Sequence, residues 1–315
     1  MTKTLHVLIA AETLPASLLD AVKRTYTVST GDAARDPAWS ATYGAEIDVI
    51  LTNGVTGVTA ELLRRLPKVK LIASNGVGVD KIDLAAARAR GIVVTNTPSV
   101  LNDCVADHAM ALLLDISRRV SEADRYVRAG LWRTRGRFPL GTKIGGKVCG
   151  IAGLGNIGRA FAARAAAFGM DIHYYNPHSQ PAVPYRRHDS LRSLAAAADY
   201  LVLTLPGGDA TRHAVEETVL AALGPRGYLI NVARGSVVKE SALLDALDRQ
   251  LIAGAALDVF ADEPNVPPAL LDKANVVLSP HIASATRETM AAMADLVLQN
   301  LHAFARGEAV LTPVN

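Results

Sequence analysis

The chain has 315 residues, half of them hydrophobic and a fifth charged, so its length predicts about two domains and its composition excludes a disordered protein. The 33 basic and 30 acidic side chains nearly balance, which argues against a nucleic-acid-binding protein, because such affinity rests on clustered positive charge. No apolar run reaches the roughly 20 residues of a membrane span, and the apolar stretch 5–11 lacks the cleavage site of a signal peptide. We therefore expect a soluble protein with no nucleic-acid and no membrane partner.

The chain has two cysteines, Cys104 and Cys149, too few for a disulfide framework or a four-thiolate zinc site. We expect both to be small buried hydrophobic residues in a reducing compartment, which favours the cytoplasm. No cluster of His, Cys and carboxylate residues has metal-ligand spacing, so we expect no metal.

Short aliphatic runs alternate with longer Ala-, Leu- and Arg-rich segments through the first hundred residues. The periodicity predicts strands over 5–10, 48–51, 71–74 and 92–95, and helices over 15–23, 59–66 and 84–90. A long apolar-periodic segment without Pro then runs from about 100 to 129, with Ser99 or Asn102 as its capping residue. This alternation is typical of parallel α/β structure, whose strands are buried on both faces.

A second α/β series begins at Lys147. It predicts strands over 147–152, 171–175, 200–204, 227–231, 253–257 and 275–278, with helices over 157–168, 190–197, 216–223 and 240–249. A last helix is predicted from about 285 to 306. Because the second series lies wholly inside the chain, we expect one domain built from 1–98 plus 283–315 and another from 99–282, joined by helices at 99–120 and 285–306.

A glycine-rich turn follows the first strand of the second series. Residues 148–158 are Val-Cys-Gly-Ile-Ala-Gly-Leu-Gly-Asn-Ile-Gly, an apolar strand that leads into G-x-G-x-x-G and an Ala-rich helix. In this context the glycines permit a tight turn, close approach to a pyrophosphate and close helix–strand packing, and the helix N-terminus favours an anion. We expect the turn to bind a dinucleotide through Gly153, Leu154, Gly155, Asn156 and Ile157. The alternative is an ordinary glycine turn in an α/β sheet.

The residues after the next strand bear on the choice between NAD and NADP. An NAD site usually has Asp or Glu there to bind the ribose hydroxyls, whereas this chain has Asn176, Pro177, His178 and Ser179. Without a carboxylate nothing repels a 2′-phosphate, the polar side chains can donate hydrogen bonds to it, and Arg186 or Arg187 could reach it. We expect NADP(H) to be preferred and NAD(H) to be possible. The alternative is a loop that accepts either cofactor.

Five segments together resemble the D-isomer-specific 2-hydroxyacid dehydrogenases over nearly the whole chain. They are Asn-Gly-Val-Gly-Val-Asp-Lys-Ile-Asp at 75–83, the turn at 153–158, Asn-Val-Ala-Arg-Gly at 231–235, Asp-Val-Phe-Ala-Asp-Glu-Pro at 258–264 and Ser-Pro-His-Ile-Ala-Ser at 279–284. Phe-Pro-Leu-Gly-Thr-Lys at 138–143 and the carboxylate-free loop resemble the glyoxylate/hydroxypyruvate and hydroxyphenylpyruvate reductase branch. The resemblance implies two doubly wound parallel-sheet domains, with a Rossmann cofactor domain inserted into a flavodoxin-like substrate domain. It also implies reduction of small 2-oxo acids to D-2-hydroxy acids.

The catalytic set implied by the resemblance is Arg234, Glu263 and His281, each just past a predicted strand. A guanidinium can hold the carboxylate and polarise the adjacent carbonyl of a 2-oxo acid. An imidazole can supply the proton as hydride arrives, and a carboxylate can orient it and favour its protonated form. Taken singly, each could be a surface arginine, a solvated carboxylate or a capping histidine.

The resemblance also implies contacts with substrate and cofactor. The backbone N–H groups of Val77 and Gly78 correspond to those that hold the substrate carboxylate, and Asn75 before them corresponds to a position that tunes substrate choice. The remaining cofactor positions flank the adenosine, the pyrophosphate or the nicotinamide, whose carboxamide would contact Asp258; they are Val105, Leu205, Pro206, Thr211, Val232, Ala233, Arg234, Asp258, His281 and Ala283. Other histidines, such as His108, His173, His213 and His302, lie on predicted helices, strands or loops without such partners, and we expect them to be structural.

An arginine-rich arm separates the two series, with seven arginines from Arg118 to Arg137. A solvated face is the ordinary interpretation, but the resemblance implies that this arm and the preceding helix form a homodimer interface, for which Arg and Trp132 are suited.

Two other functions stay open at this stage. One is an NAD-dependent enzyme of the same family acting on another 2-hydroxy acid such as 3-phosphoglycerate, and the other is a non-catalytic dinucleotide sensor. The missing carboxylate near 176 argues against the first, and the intact trio argues against the second. Because the trio and the 75–80 loop fall in different predicted domains, we expect an active-site cleft that closes on its ligand.

Overall fold

The structure is a computed structural model, and it describes residues 5–11, 13–30, 36–177 and 183–315. The chain divides into two compact units, residues 1–101 plus 285–315 and residues 102–284. The boundaries predicted after residues 98 and 282 lie three residues before the observed boundary at 101 and two residues before the one at 284. Over the described ranges, no helix is both long and apolar enough to cross a membrane.

The first unit contains a five-stranded, all-parallel sheet in the order β2-β1-β3-β4-β5. This is the flavodoxin-like strand order. The strands are β1 (His6–Ile9), β2 (Thr27–Thr30), β3 (Val49–Asn53), β4 (Leu71–Asn75) and β5 (Val93–Thr95). The helices are α1 (Ala16–Thr25), α2 (Pro37–Tyr43), α3 (Ala60–Arg65), α4 (Leu84–Ala89) and, after the second unit, α13 (Arg287–Ala305).

Both faces of this sheet are covered, which is why its strands are apolar at successive positions. On one face Val49 and Leu71 pack with α1 and α13. On the other face Ile50, Ile72 and Val94 pack with α3 and α4. The central strands β3 and β4 are therefore buried along almost their whole length.

The second unit contains a seven-stranded, all-parallel sheet in the order β12-β11-β10-β9-β6-β7-β8. Its strands are β6 (Val148–Ala152), β7 (Asp171–Tyr175), β8 (Arg186–Arg187), β9 (Tyr200–Leu203), β10 (Tyr228–Asn231), β11 (Gly254–Leu257) and β12 (Val276–Leu278). Its helices are α5 (Asn102–Arg118), α6 (Val120–Arg128), α7 (Leu131–Arg135), α8 (Asn156–Ala167), α9 (Leu191–Ala197), α10 (Glu217–Leu223), α11 (Glu240–Asp248) and α12 (Pro268–Leu271). The strand order reverses between β6 and β9, as in a dinucleotide-binding Rossmann sheet.

The predicted periodic segment 100–129 holds two helices: α5 ends at Arg118, close to the predicted end at 120, and α6 follows it from Val120 to Arg128. Arg119, in the left-handed conformation with a φ of 56°, separates the two helices, and the carboxylate of Asp115 accepts a hydrogen bond from the N–H of Ser121 in the first turn of α6 at 2.8 Å. Five further elements are short or polar, and their periodicity is too brief to predict them from the sequence: β2, α2, α7, β8 and α12.

Candidate active site

The candidate residues of the second unit lie at one edge of its sheet. Arg234 follows β10, Glu263 follows β11, His281 follows β12 and the glycine turn follows β6. Because these strands are parallel, their carboxyl ends share an edge, and open α/β sheets bind their ligands there.

His281 and Glu263 form a hydrogen-bonded pair. Imidazole Nδ1 lies 2.7 Å from Glu263 Oε2, and because a carboxylate only accepts, Nδ1 is the donor. Glu263 Oε1 accepts the N–H of Phe260 at 3.0 Å, which fixes the carboxylate. The two side chains are 33% and 18% exposed. With Nδ1 engaged, Nε2 is the nitrogen left to exchange a proton with a ligand.

The loop that carries Arg234 is packed against the loop that carries Glu263. A Cβ on Gly235 would lie 1.9 Å from the carbonyl of Phe260, so only glycine fits at that contact. Buried Asn231 accepts the N–H of Ala233 and donates to the carbonyl of Arg234, each at 3.0 Å. Half-buried Arg234 donates from Nη1 to the carbonyl of Ala233 at 2.8 Å, so the guanidinium is held close to its own loop.

Asp258 anchors the segment that carries His281. Its carboxylate accepts hydrogen bonds from Ser279 Oγ at 2.6 Å and from the N–H groups of Ile282 and Ala283 at 2.9 Å each. Its backbone carbonyl accepts the N–H of His281 at 2.8 Å. Non-glycine residues rarely adopt a positive φ, and His281 has a φ of 52°. The hydrogen bonds to Asp258 explain how the segment holds this conformation.

His108 completes this network, and the expectation that it has no partner is wrong. Its Nε2 lies 3.0 Å from Ser279 Oγ and 3.2 Å from Asp258 Oδ1. Burial alone would raise the pKa of Asp258, but the hydrogen bonds from His108, Ser279 and the two N–H groups outweigh it and hold the pKa below its usual value. The Asp258 side chain is only 1% exposed, which leaves it little surface for a ligand. Its contact with a nicotinamide carboxamide stays a prediction.

The glycine turn is tightly packed at Gly153 and Gly158 and open at Gly155. A Cβ on Gly153, whose φ is 100°, would lie 2.9 Å from the backbone of Thr204 and Leu205, and one on Gly158 would lie 2.3 Å from the carbonyl of Gly153. Around Gly155, by contrast, the space within 4 Å of a Cβ holds no described atom. Gly155 is the N-cap of α8 and provides no side-chain cap, so the N–H groups of Asn156 and Ile157 begin the helix at an open, electropositive surface.

The loop after β7 is tied to this turn. Asn176 is buried, and its Oδ1 accepts the N–H of Leu154 at 2.5 Å, which leaves Nδ2 as its donor. Exposed Arg187 on β8 donates to the carbonyl of Asn176 at 3.4 Å, which places a cation beside the loop. Pro177 is exposed, while the predicted contacts of His178 and Ser179 lie outside the described residues.

The other predicted cofactor positions also belong to the second unit. Pro206 is exposed, and the other apolar ones are buried: Val105, Leu205, Val232, Ala233 and Ala283. Thr211 Oγ1 donates to the carbonyl of Pro206 at 2.7 Å, which ties that loop together. Val105 and His108 stand three residues apart on α5, so they share a helix face.

The predicted substrate residues belong to the first unit, where Asn75 ends β4 and Val77 and Gly78 follow it. Asn75 Oδ1 is buried and has no hydrogen-bond partner among the described residues. An unpaired buried oxygen costs free energy unless a ligand or water supplies a donor.

Sequence reasoning missed His108 because its partners are more than 100 residues away, and missed Arg187 as a strand residue because β8 spans two residues. For His108 a signal was available, since it stands one helical turn from Val105 and therefore on the same face of α5.

Known proteins resemble this chain over most of its length. Residues 110–283 match the D-isomer specific 2-hydroxyacid dehydrogenase, NAD binding domain. The chain is 47% identical to glyoxylate/hydroxypyruvate reductase A HPR2 of Arabidopsis thaliana over 87% of both chains, and 46% identical to hydroxyphenylpyruvate reductase of Plectranthus scutellarioides over 85% of both. The NADPH-dependent glyoxylate/hydroxypyruvate reductase of Sinorhizobium meliloti, solved with NADP and malonate, superposes with a TM-score of 0.94 at 40% identity, over 99% of this chain and 97% of that one. This chain belongs to the D-isomer-specific 2-hydroxyacid dehydrogenase family.

Proposed function

We propose that this enzyme reduces small 2-oxo acids, glyoxylate and hydroxypyruvate first among them, to D-2-hydroxy acids with NADPH. The observation that carries the proposal is the His281–Glu263 pair at 2.7 Å, at the same sheet edge as a turn that fits a dinucleotide. Relatives named as glyoxylate or hydroxypyruvate reductases support the substrate class.

The chain's own residues supply the charges that a 2-oxo acid requires. A bound nicotinamide would supply the hydride. Arg234 binds the substrate carboxylate and polarises its carbonyl, because a guanidinium can present two parallel donors. His281 Nε2 gives a proton to the carbonyl oxygen, while Glu263 holds Nδ1 and so fixes which nitrogen faces the substrate. Within the first unit, the N–H groups of Val77 and Gly78 are the donors that we propose for the carboxylate of a 2-oxo acid.

The preference for NADPH over NADH rests on charge. Asn176 stands where an acid would repel a 2′-phosphate, and Arg187 places a cation within 3.4 Å of the Asn176 carbonyl. A charge-assisted hydrogen bond contributes about 1.5–3 kcal/mol, which corresponds to roughly tenfold or more in affinity. The comparison structure, which is NADPH-dependent, supports the same preference.

The test is cofactor oxidation with a panel of 2-oxo acids, each with NADPH and with NADH, followed by chiral analysis of the product. We expect the highest kcat/KM with glyoxylate or hydroxypyruvate and NADPH, and a D-configured product from hydroxypyruvate. A His281→Gln variant serves as the inactive control and His302→Gln as a control for histidine loss elsewhere. Turnover that survives in His281→Gln, or an L-configured product, contradicts the proposal.

The proposal includes a homodimer formed through the arm. Helices α6 and α7 bury no residue within the chain, and Val127 and Trp132 are 55% and 67% exposed. A groove of about 670 Å³, lined in part by Arg125 and Leu140, lies beside the arm in the same unit. Exposed apolar groups on an amphipathic helix favour burial against a partner, and a second copy supplies the matching surface.

Light scattering tests this assembly. The wild type should have the mass of two chains, and the double variant Val127→Asp plus Trp132→Ala should have the mass of one chain. An unchanged mass contradicts the assignment of the interface. In the part of the chain that the structure describes, Cys104 and Cys149 form no disulfide, and a cytoplasmic location is part of the proposal because reduced thiols suit a reducing compartment.

A further inference from the structure

The loop at 75–78, which follows β4, is held by the segment that follows β5. The N–H of Gly76 donates to Thr97 Oγ1 at 3.0 Å, and the N–H of Thr97 donates to the carbonyl of Gly76 at 3.0 Å. Thr97 is fully buried. Two reciprocal hydrogen bonds at one residue fix Gly76, whose φ is 138°, in a conformation that only glycine readily adopts.

Asn96 extends this support by one residue. Its Nδ2 donates to the carbonyl of Val77 at 2.8 Å. None of the hydrogen bonds described for this loop uses the N–H of Val77 or Gly78. The carbonyl of Val77 and the N–H of Gly78 belong to one planar peptide group. Because Asn96 holds that carbonyl, it also fixes the direction of the Gly78 N–H.

Asn96 is in turn held by Thr312. Thr312 Oγ1 donates to the carbonyl of Asn96 at 2.6 Å, and the N–H of Asn96 donates to the carbonyl of Thr312 at 3.4 Å. The hydroxyl of Thr312 also accepts Nδ2 of Asn300 at 2.9 Å. Thr312 therefore connects α13 to the segment beneath the loop.

Asn300 on α13 is fully buried, and all its hydrogen bonds fix the segment 311–315 or its own helix. Its Oδ1 accepts the N–H groups of Leu311 and Thr312 at 2.9 and 3.2 Å. Further along, the N–H of Val314 donates to the carbonyl of Val94 and Asn315 Oδ1 accepts the N–H of Val94, each at 2.8 Å. The segment 311–315 thus lies along β5 and covers that edge of the sheet.

We infer that Asn300, Thr312 and Asn96 are positioning residues that fix the substrate-binding loop through a continuous chain of hydrogen bonds, which we name the Asn300–Thr312–Asn96 relay. The inference rests on the proposed function, in which the N–H groups of Val77 and Gly78 bind the carboxylate of a 2-oxo acid. Two amides bind an anion well only when their direction is set before the ligand arrives, because ordering them costs affinity. The relay sets that direction from a buried helix residue, although none of its members touches the substrate.

The test is Thr312→Val, which keeps the side-chain shape and removes the hydroxyl that links Asn300 to Asn96. We expect KM for glyoxylate and the inhibition constant of malonate to rise about tenfold, or about 1.4 kcal/mol. We expect kcat to change less than about twofold and the Kd of NADPH, bound by the second unit, to stay unchanged. Asn96→Ala should produce the same split.

Hydrogen exchange provides a second measurement that does not depend on turnover. Peptides that cover 75–80 should exchange faster in Thr312→Val than in wild type, because Asn96 loses the Thr312 hydroxyl that holds it, and Asn96 directly precedes Thr97, the acceptor of the Gly76 N–H. Thr25→Val is the control, since its exposed hydroxyl donates to the carbonyl of Ala21 in the same helix, α1. It should leave both measurements unchanged.

Each outcome decides the inference. Unchanged exchange at 75–80 overturns the relay, and faster exchange with unchanged KM and malonate inhibition overturns its role in substrate binding. If wild type reduces no 2-oxo acid, the proposed function fails, and exchange together with malonate binding then decides the relay alone.

Discussion

Replacing Asp258 with Asn removes a charge from the centre of the network that holds His281. The amide keeps one oxygen for Ser279 Oγ and the N–H of Ile282, but its nitrogen must face the N–H of Ala283, now 2.9 Å from a carboxylate oxygen. A lost charge-assisted hydrogen bond costs about 1.5–3 kcal/mol, and a buried donor left unpaired costs about 1–3 kcal/mol. Since these costs overlap, we expect Asp258→Asn to lower the free energy of unfolding of the second unit by about 3 kcal/mol.

Calorimetry and kinetics check this value. A loss of about 3 kcal/mol lowers the Tm of a domain of this size by about 6–12 °C. We also expect kcat to fall at least about tenfold, because a small displacement of His281 spoils proton transfer. Asp262→Asn is the matched control, since Asp262 is exposed and its carboxylate accepts Asn265 Nδ2 at 3.2 Å. Asp258→Asn with wild-type Tm and wild-type kcat would refute the role of Asp258.

The same variant has a defined pH signature. The pKa of Asp258 is lowered in the folded enzyme, so the charged carboxylate contributes stability at every pH above its unfolded value of about 3.9. That contribution disappears as the pH falls through the lower folded value. The Tm difference between wild type and Asp258→Asn should therefore be constant from neutral pH down to about 5 and should shrink only in stronger acid. A difference that grows as the pH falls would contradict this assignment.

Three further outcomes are expected. His281→Ala should lose most turnover and keep its Kd for NADPH, because the proton donor is separate from the glycine turn; near-wild-type turnover would exclude His281 as the donor. Asn176→Asp should narrow or invert the NADPH:NADH ratio of kcat/KM by about tenfold or more, while the new carboxylate still accepts the N–H of Leu154; an unmoved ratio would leave the loop without a role in cofactor choice. Gly155→Val should fold with wild-type Tm and bind NADPH weakly, because the added side chain occupies open space at the turn. Gly158→Val should lower Tm, because its Cβ would lie 2.3 Å from the carbonyl of Gly153. The reverse pattern would contradict the fit of the turn to a pyrophosphate.

The sequence predicted the elements that repeat a period and the residues that follow them. Both series of strands, the glycine turn and the trio Arg234, Glu263 and His281 could be placed because each motif directly follows an apolar strand. Parallel topology then collects the strand ends at one edge, so the pairing of His281 with Glu263 follows from chain order together with strand direction.

Interactions over long sequence separations could not be predicted in this way. His108 and Ser279 are 171 positions apart, and Thr312 and Asn96 are 216 apart. Neither pair has a spacing that a helix or strand period can reveal, since each depends on how separate elements pack. The break at Arg119 is local, but it depends on the Asp115 side chain bonding the backbone of Ser121, which competes with the helical pattern.

Four buried polar residues at strand ends show where the limit of prediction lies. Asn53 and Asn231 bind N–H groups two or three residues ahead, which is the local Asx pattern that a sequence does reveal. Asn176 and Asp258 instead bind the loop after the neighbouring strand, through Leu154 and through Ile282 and Ala283. All four are buried, where a polar group is tolerated only with its partners in place. A buried polar residue at the end of a strand therefore serves first to hold a loop by hydrogen bonds, either its own loop or the adjacent one. Only the atoms that these hydrogen bonds do not use can contact a ligand. They are Nδ2 in Asn176, and little more than the second lone pair of Oδ2 in Asp258.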